Sequence, residues 1–438
     1  MSVSQASGRP ETSYRYVVFA MVLLLALVNY IDRGAISYAS AEIIGEYGFD
    51  RASWGQMMGY FGYGYMFGAL LGGALSDWLG ARRLWIIAGV AWSILAIAMI
   101  YAGDLGLAVL GGSALAGFAV VRISFGFAEG PAYSIINKTM SYWAPKKERG
   151  FAVSLGLLST PLGAMLTAPV AVGLLLLTNN WRSMYIMLGI AGLVLIGLFA
   201  RIYTNKPEEN ANVSPSELAY IKEGLEASHP AATAVRRFDL KGFVSNPTLL
   251  LNAVGYFAFI YVNFMILTWT PKYLQDEFGF TLSSLWYVGM IPWIGACITI
   301  LLGGRFSDWI YHKTGSLRLA RGGLATGSLL LTTITFLFVS QANSPWTVIG
   351  LMTLANAFNA LPNSVYWAVV IDTAPSDRVG TYSGITHFIA NIGSVLSPTL
   401  AGILAKNYGY SAMFVATAVA TGIGVLAMSQ IRPGRPNA

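Results

Sequence analysis

The stretch Gly72-Gly73-Ala74-Leu75-Ser76-Asp77-Trp78-Leu79-Gly80-Ala81-Arg82-Arg83 separates two apolar runs, and it returns as Gly303-Gly304-Arg305-Phe306-Ser307-Asp308-Trp309-Ile310, with Arg318 and Arg321 beyond. Asp308 lies 231 residues after Asp77 in a chain of 438. One structural unit is therefore used twice, and each copy places a short polar turn between long apolar segments.

Working outward from the two turns, apolar runs of bilayer-spanning length, roughly 20 residues each, fill the chain. Spans are predicted at 15–37, 53–76, 83–102, 107–140, 150–176 and 182–203, and at 247–272, 284–305, 321–340, 345–373, 380–404 and 411–430. The composition agrees: 55% of residues are hydrophobic and 11% charged, against roughly a quarter charged in soluble domains. The expected fold class is an all-α membrane protein of twelve helices in two six-helix bundles related by pseudo-two-fold symmetry. Residues 1–203 form the first bundle, 204–246 a linker and 247–438 the second. Met1–Ser13 is polar and lacks a small-residue cleavage site, so no removable signal is expected.

Within the linker, Ser214-Pro215-Ser216-Glu217 carries a cap serine, a proline at the first helical position and a glutamate at the third, which predicts a short helix to about Glu226. With both termini on one side, twenty of the 27 Lys and Arg fall on that side and four on the other. By the positive-inside rule the termini and linker are expected in the cytoplasm, in a cell membrane crossed many times.

Several classes are excluded or disfavoured. One cysteine, Cys297, allows no internal disulfide, and the three histidines, 229, 312 and 387, have no ligand spacing. No Gly-Lys dipeptide occurs, which removes the phosphate loop of an ATP motor. The net charge of +7 reads as topology rather than nucleic-acid binding. No metal, catalytic group or cofactor is expected, and the coupling ion of a gradient-driven carrier would be the proton.

The doubled Gly-x-Leu-Ser-Asp-x-x-Gly-x-Arg-Arg turn resembles the loop signature of the major facilitator superfamily. Narrower features resemble its anion:cation symporter branch, which includes galactonate, glucarate and hexuronate transporters and, more distantly, sialin and vesicular glutamate carriers. They are Asn29-Tyr30-Ile31-Asp32-Arg33; Arg122 with Phe127-Ala128-Glu129-Gly130-Pro131-Ala132; Trp143-Ala144-Pro145; Leu267-Thr268-Trp269-Thr270-Pro271-Lys272-Tyr273-Leu274; Ile371-Asp372-Thr373-Ala374-Pro375; and Gly384 through Asn391-Ile392-Gly393. The resemblance implies that the turn aspartates Asp77 and Asp308 cap helices and that Arg82 and Arg83 latch a gate. Trp78 stands where the family has a basic residue.

Ionisable residues at bilayer depth are costly and mark function by default. Asp32, Arg33, Arg122, Glu129 and Lys138 qualify. Arg122, Glu129 and Tyr133 follow a helical stripe expected to face a central cavity. The resemblance makes Glu129 and Asp32 proton sites, Arg33 the ligand of a substrate carboxylate and Arg122 a gating or packing group. A second reading pairs these acids permanently with Arg33 or Arg122 as structural salt bridges. Tyr65 stands where sugar-acid carriers contact substrate; Tyr256 replaces a glutamine and His387 an asparagine of the branch. Asn252, Tyr256 and Asn263 share one face, as do Asn356, Asn359, Asn363 and Trp367, while His387 and Asn391 are one turn apart. The expected substrate set is Arg33, Tyr65, Tyr256, Asn263, Asn363, His387 and Asn391, although membrane amides also serve as interhelical glue.

The expected function is proton-coupled import of a small organic anion, a sugar acid or hydroxy-carboxylate, by a monomer in a lipid bilayer with no nucleic-acid partner. Alternatives are a uniporter or exchanger of an aromatic or dicarboxylic acid and, more remotely, an anion sensor.

Overall fold

The computed structural model describes residues 11–223, 239–375 and 378–434. Its helices start and stop where the sequence carries cap and turn chemistry. After α1 (Tyr14–Ala35) and a short helix at Ser40–Tyr47, the Asp50 carboxylate accepts from the Ser53 N–H at 2.7 Å and starts α2 (Arg51–Leu79). α3 (Ala81–Ala98) continues through a 3₁₀ turn into Ala102–Val109, past the predicted end at 102. The chain reverses instead at Gly111 and Gly112, with φ of 73° and 75°, a conformation that glycine alone adopts readily.

The fourth segment is not one helix to residue 140 but two, α4 (Ala114–Glu129) and α5 (Ala132–Trp143), parted at Gly130-Pro131. Proline there removes a donor and crowds the preceding turn. α6 (Arg149–Thr178), α7 (Trp181–Ile202) and the linker helix α8 (Pro215–Lys222) follow. The Ser214 hydroxyl caps α8 by accepting from the Glu217 N–H at 3.2 Å, and the expected continuation to Glu226 lies outside the described residues. The second half comprises α9 (Pro247–Phe278), α10 (Ile291–Thr314), α11 (Leu324–Val339), α12 (Pro345–Ala360), α13 (Asn363–Thr373), α14 (Val379–Tyr408) and α15 (Tyr410–Gln430). α12 and α13 part at Leu361-Pro362, again not the single span predicted, and Pro362 follows Pro131 by 231 residues, the offset between the two turn aspartates. The repeat thus extends from the loops into the helices.

Among the described residues, nine helical segments are long and apolar enough to cross a bilayer. The remaining three, α2 and the broken pairs α4–α5 and α12–α13, trade apolar residues for glycine, tyrosine and asparagine, and all three wall the central cavity.

α2 joins the halves through two glycine faces. Gly64, Gly68 and Gly72 lie against the backbone of α4 and α5 at Ile123, Phe127 and Pro131, while Gly55, Gly59 and Gly62 lie against α14 at Pro398, Val395 and Ser394. A Cβ at Gly55 would fall 2.5 Å from the Pro398 carbonyl oxygen. Between helices that lipid solvates equally well, such close backbone approach supplies the packing.

This approach closes the Arg51 end of the molecule. There the Ser37 hydroxyl donates to the Leu267 carbonyl at 3.0 Å, Lys406 pairs with Asp50 at 2.7 Å and Arg51 with Asp276 at 3.5 Å, and Arg51 also donates to the Ala405 carbonyl. Toward the Asp77 end the halves separate.

Candidate functional site

The separation leaves a cavity of about 1200 Å³ that opens between Asp77 and Trp78 on one side and Gly380 and Thr381 on the other. Its walls are α1, α2, α5 and α6 from the first half and α9, α10, α13 and α14 from the second. All seven residues of the expected substrate set, Arg33, Tyr65, Tyr256, Asn263, Asn363, His387 and Asn391, stand on them.

Arg33 is held from three sides. Its Nε and Nη2 donate to Oε2 of Glu129 at 3.2 and 3.0 Å, and Nη2 also donates to Asn29 Oδ1 at 3.1 Å. The rings of Tyr65, Tyr30 and Phe61 surround the guanidinium, with centroids 4.4, 4.5 and 4.8 Å from Cζ. Among the described residues Glu129 and Asn29 engage only Nε and Nη2, and Arg33 lines the cavity, so the guanidinium retains donor capacity for a ligand there. Arg33 is 3% and Glu129 0% exposed. Buried this far from water, neither charge is tolerable without the other.

The other charges sit differently. Asp32, about 100° round the helix from Arg33, is 0% exposed and neither of its carboxylate oxygens has a hydrogen-bond partner. Arg122 has no carboxylate partner either: Nη2 donates to the Met58 carbonyl at 3.2 Å, and Nε and Nη1 are buried without partners. Of the possible acid–guanidinium pairs, Arg33–Glu129 is the one that forms among the described residues. The expected cavity-facing stripe of Arg122, Glu129 and Tyr133 does not exist, because the helix breaks between Glu129 and Tyr133. Tyr133 reaches the wall; Glu129 lies behind Arg33 and Arg122 deeper still, against α2.

The amides divide into two groups. Asn252, Asn356 and Asn359 donate to the carbonyls of Tyr366, Pro292 and Phe259 at 2.9, 3.0 and 3.2 Å, and so tie helices together. Asn363 and Asn391 line the cavity, each with a buried Oδ1 that has no donor. The His387 ring sits among those of Trp367, Tyr256, Tyr65 and Tyr133, with centroids 5.6, 6.0, 6.3 and 6.5 Å away.

Tyr30 and Thr160 are wall residues absent from the expected set. Tyr30 was findable, since a residue three before Arg33 shares its helix face. Thr160, whose hydroxyl bonds Tyr133 Oη, has no signal in the apolar run around it.

At the open end, Asp77 pairs with Lys138 at 2.8 Å, and Asp308 pairs with Arg321 at 3.1 Å, which also binds Asp372 at 3.1 Å. Both turn aspartates are ion-pair partners rather than helix caps, because a cation from a neighbouring helix reaches each carboxylate first. The Arg82 guanidinium donates to the Ala200 carbonyl and its N–H to Asn205 Oδ1 at 2.9 Å, while Arg83 is exposed.

A sequence model of the Major Facilitator Superfamily matches residues 22–398 and, again, 324–437. The chain belongs to that superfamily. This facilitator is 30% identical over 427 residues to the hexuronate transporter of Bacillus subtilis, covering 96% of this chain and 94% of that protein. It is 26% identical over 418 residues to a probable galactarate/D-glucarate transporter of Escherichia coli, covering 93% and 91%. A crystal structure of a D-xylose-proton symporter superposes with a TM-score of 0.72 at 18% identity, covering 96% and 98% of the two chains, and shares the fold. The facilitator is accordingly a multi-pass membrane transporter and not an enzyme.

Proposed function

We propose that this facilitator is a symporter that imports a sugar acid together with protons, by rocking the halves 1–203 and 247–438 about the fixed site between them. The relatives named above carry hexuronate and, as the probable cargo, galactarate or glucarate. The distribution of Lys and Arg favours a cytoplasmic position for both termini and the linker, and hence a cavity open to the cytoplasm in this state. One chain encloses the whole cavity, which favours a working monomer.

The observation that carries the reading is the Arg33–Glu129 pair, with Arg33 on the cavity wall and Glu129 behind it. A guanidinium already neutralised by a buried carboxylate attracts a second carboxylate weakly. A proton on Glu129 cancels the internal partner and frees Arg33 for substrate. By linkage the substrate then raises the affinity for the proton by the same factor. Asp32, with no hydrogen-bond partner among the described residues, is the second candidate proton site.

The test is uptake of labelled glucuronate, galactonate and glucarate by purified protein in liposomes, with and without an inward proton gradient. Accumulation above equilibrium only with the gradient is expected. Uptake that merely equilibrates, whatever the gradient, would replace symport by uniport or exchange and remove Glu129 from coupling.

A further inference from the structure

The surface that the cavity offers next to Arg33 is rich in rings. Tyr30 and Tyr133 of the first half and Trp367 and His387 of the second line the space and are half-buried. Tyr65 and Tyr256, 3% and 5% exposed, pack against the imidazole. Trp367 and His387 lie 5.6 Å apart at a shallow 32°, and Tyr133 meets His387 from the opposite half at 6.5 Å and 59°. The rings begin at the cation itself. The Tyr30 and Tyr65 centroids are 4.5 and 4.4 Å from Arg33 Cζ, and Tyr65 is 6.3 Å from His387, which keeps Arg33 and the imidazole under about 11 Å apart.

Polar groups line the same space: Asn263, Ser364, Thr381 and Ser383 can each meet a hydroxyl or a carboxylate. They serve any sugar acid alike, whereas the rings discriminate by shape. In a pyranose the hydroxyls radiate from the edge and leave at least one face made of C–H groups, which an aromatic surface covers without stripping a hydroxyl of its partners. An open-chain acid of the same six carbons carries hydroxyls all along a freely turning chain. Whichever side of it meets the rings turns hydroxyls away from water with no acceptor in return. It also has torsions to freeze that a ring has already fixed. A carboxylate joined directly to a ring brings the two requirements together, the anion at Arg33 and the ring among the aromatic side chains beside it.

We infer that the cavity selects sugar acids in closed-ring form: a carboxylate taken by the guanidinium donors of Arg33 and, beside it, a pyranose ring whose C–H face lies on Trp367 and His387. The inference rests on the sugar-acid reading of the same cavity. Within that class it favours pyranuronates over open-chain aldonates.

Binding to the purified protein decides it, read as thermal stabilisation over a concentration series of each acid. Glucuronate is paired with gluconate and galacturonate with galactonate, so that carbon number and charge are held and ring closure varies. The closed-ring member should bind at least about fivefold tighter in both pairs, and methyl glucuronoside, whose ring cannot open, should match glucuronate. Trp367→Leu and His387→Asn, made separately in case one does not fold, should each cut that preference to within about twofold by weakening the closed-ring acids. Open-chain acids binding within about fivefold of their partners in the unmodified protein, or a preference that survives both variants, would overturn the inference and leave the sugar-acid reading intact. If none of the five compounds stabilises the protein, the sugar-acid reading itself fails and takes the inference with it.

Discussion

Both hydrogen bonds from Arg33 to Glu129 converge on one oxygen, Oε2, at 3.2 and 3.0 Å, and Oε1 is buried with no partner. The carboxylate is held by one edge and open at the other, where a proton can be added without breaking either bond. Glu129→Gln keeps the shape and one acceptor while removing the charge. The expected outcome is loss of gradient-driven accumulation with substrate counterflow retained, read in liposomes with and without a proton gradient.

Removing the cation is a different experiment. Arg33→Ala strands Glu129 as an uncompensated buried charge, at a cost on the order of 3–5 kcal/mol. The double variant Arg33→Ala/Glu129→Gln removes both charges and should recover most of that loss in thermal unfolding, without recovering uptake. Arg33→Lys keeps the charge but cannot span Oε2, Asn29 and three rings together, so binding should fall while stability changes little.

Among the described residues Asp32 makes no hydrogen bond and no ion pair, so Asp32→Asn deletes neither and relieves the burial of a lone carboxylate. The variant should unfold at the parent temperature or above it. A drop in unfolding temperature would reveal a partner that Asp32 acquires in another state of the cycle.

The linker is fastened to α1 by a buried carboxylate outside the membrane. Glu217 accepts from the N–H groups of Tyr14 and Arg15 at 2.9 and 3.0 Å, from the Thr12 hydroxyl at 2.5 Å and from Arg15 Nη1 at 3.1 Å, an anion seated on a helix N-terminus. Burial pushes its pKa up, but these donors outweigh that and hold it below the ordinary 4.5. A depressed folded value means that the stabilisation is complete above the ordinary pKa and is lost as pH falls through the lower one. Thermal unfolding should therefore show no contribution from this group to pH dependence between about pH 5 and 8. Glu217→Ala should lower stability by about 1–3 kcal/mol at neutral pH and flatten the acid limb.

At the closed end, Lys406 and the Ser53 N–H hold the Asp50 carboxyl down at about 2. The pair that helps to seal this end is therefore intact at any physiological pH and fails only below that value, so proton sensing lies elsewhere. Lys406→Ala removes an exposed pair of the kind worth about 0.2–1 kcal/mol. It should raise thiol labelling of Ser37→Cys, in a Cys297→Ser background, by up to about fivefold, and 1 M salt should mimic it. Unchanged labelling would leave closure to the Arg51 contacts and the glycine face of α2.

What the sequence disclosed and what it hid follow from physics at particular residues. Paired turns, apolar runs and buried charges are one-dimensional signals, so the fold and the membrane-depth charge Arg33 were legible in them; the substrate roles of Arg33 and Tyr65 came from the family resemblance, and Tyr256, Asn263, Asn363, His387 and Asn391 from polar residues spaced along apolar helices. The stripe through Arg122 failed because Pro131 rotates the axis between Glu129 and Tyr133, and a periodicity argument assumes an unbroken helix. The division of the asparagines was hidden for another reason. Asn356 and Asn363 are seven apart in sequence, but the break at Leu361-Pro362 puts them on separate helices, where one meets the Pro292 carbonyl and the other the cavity.

The breaks at Pro131 and Pro362 place a joint midway along one segment of each half. Glu129 is the last residue before the first joint, so the carboxylate that grips Arg33 sits at a fulcrum, where displacement is least. Below the joints, α5 and α13 carry Tyr133 and Trp367 and border the widening part of the cavity. In the proposed rocking cycle the mouth would change shape at these joints while the ion pair stays in register. In the proposed cycle, a chemical centre on the axle with the gates on the arms would let the molecule change which side it addresses without rebuilding the site that reads its cargo.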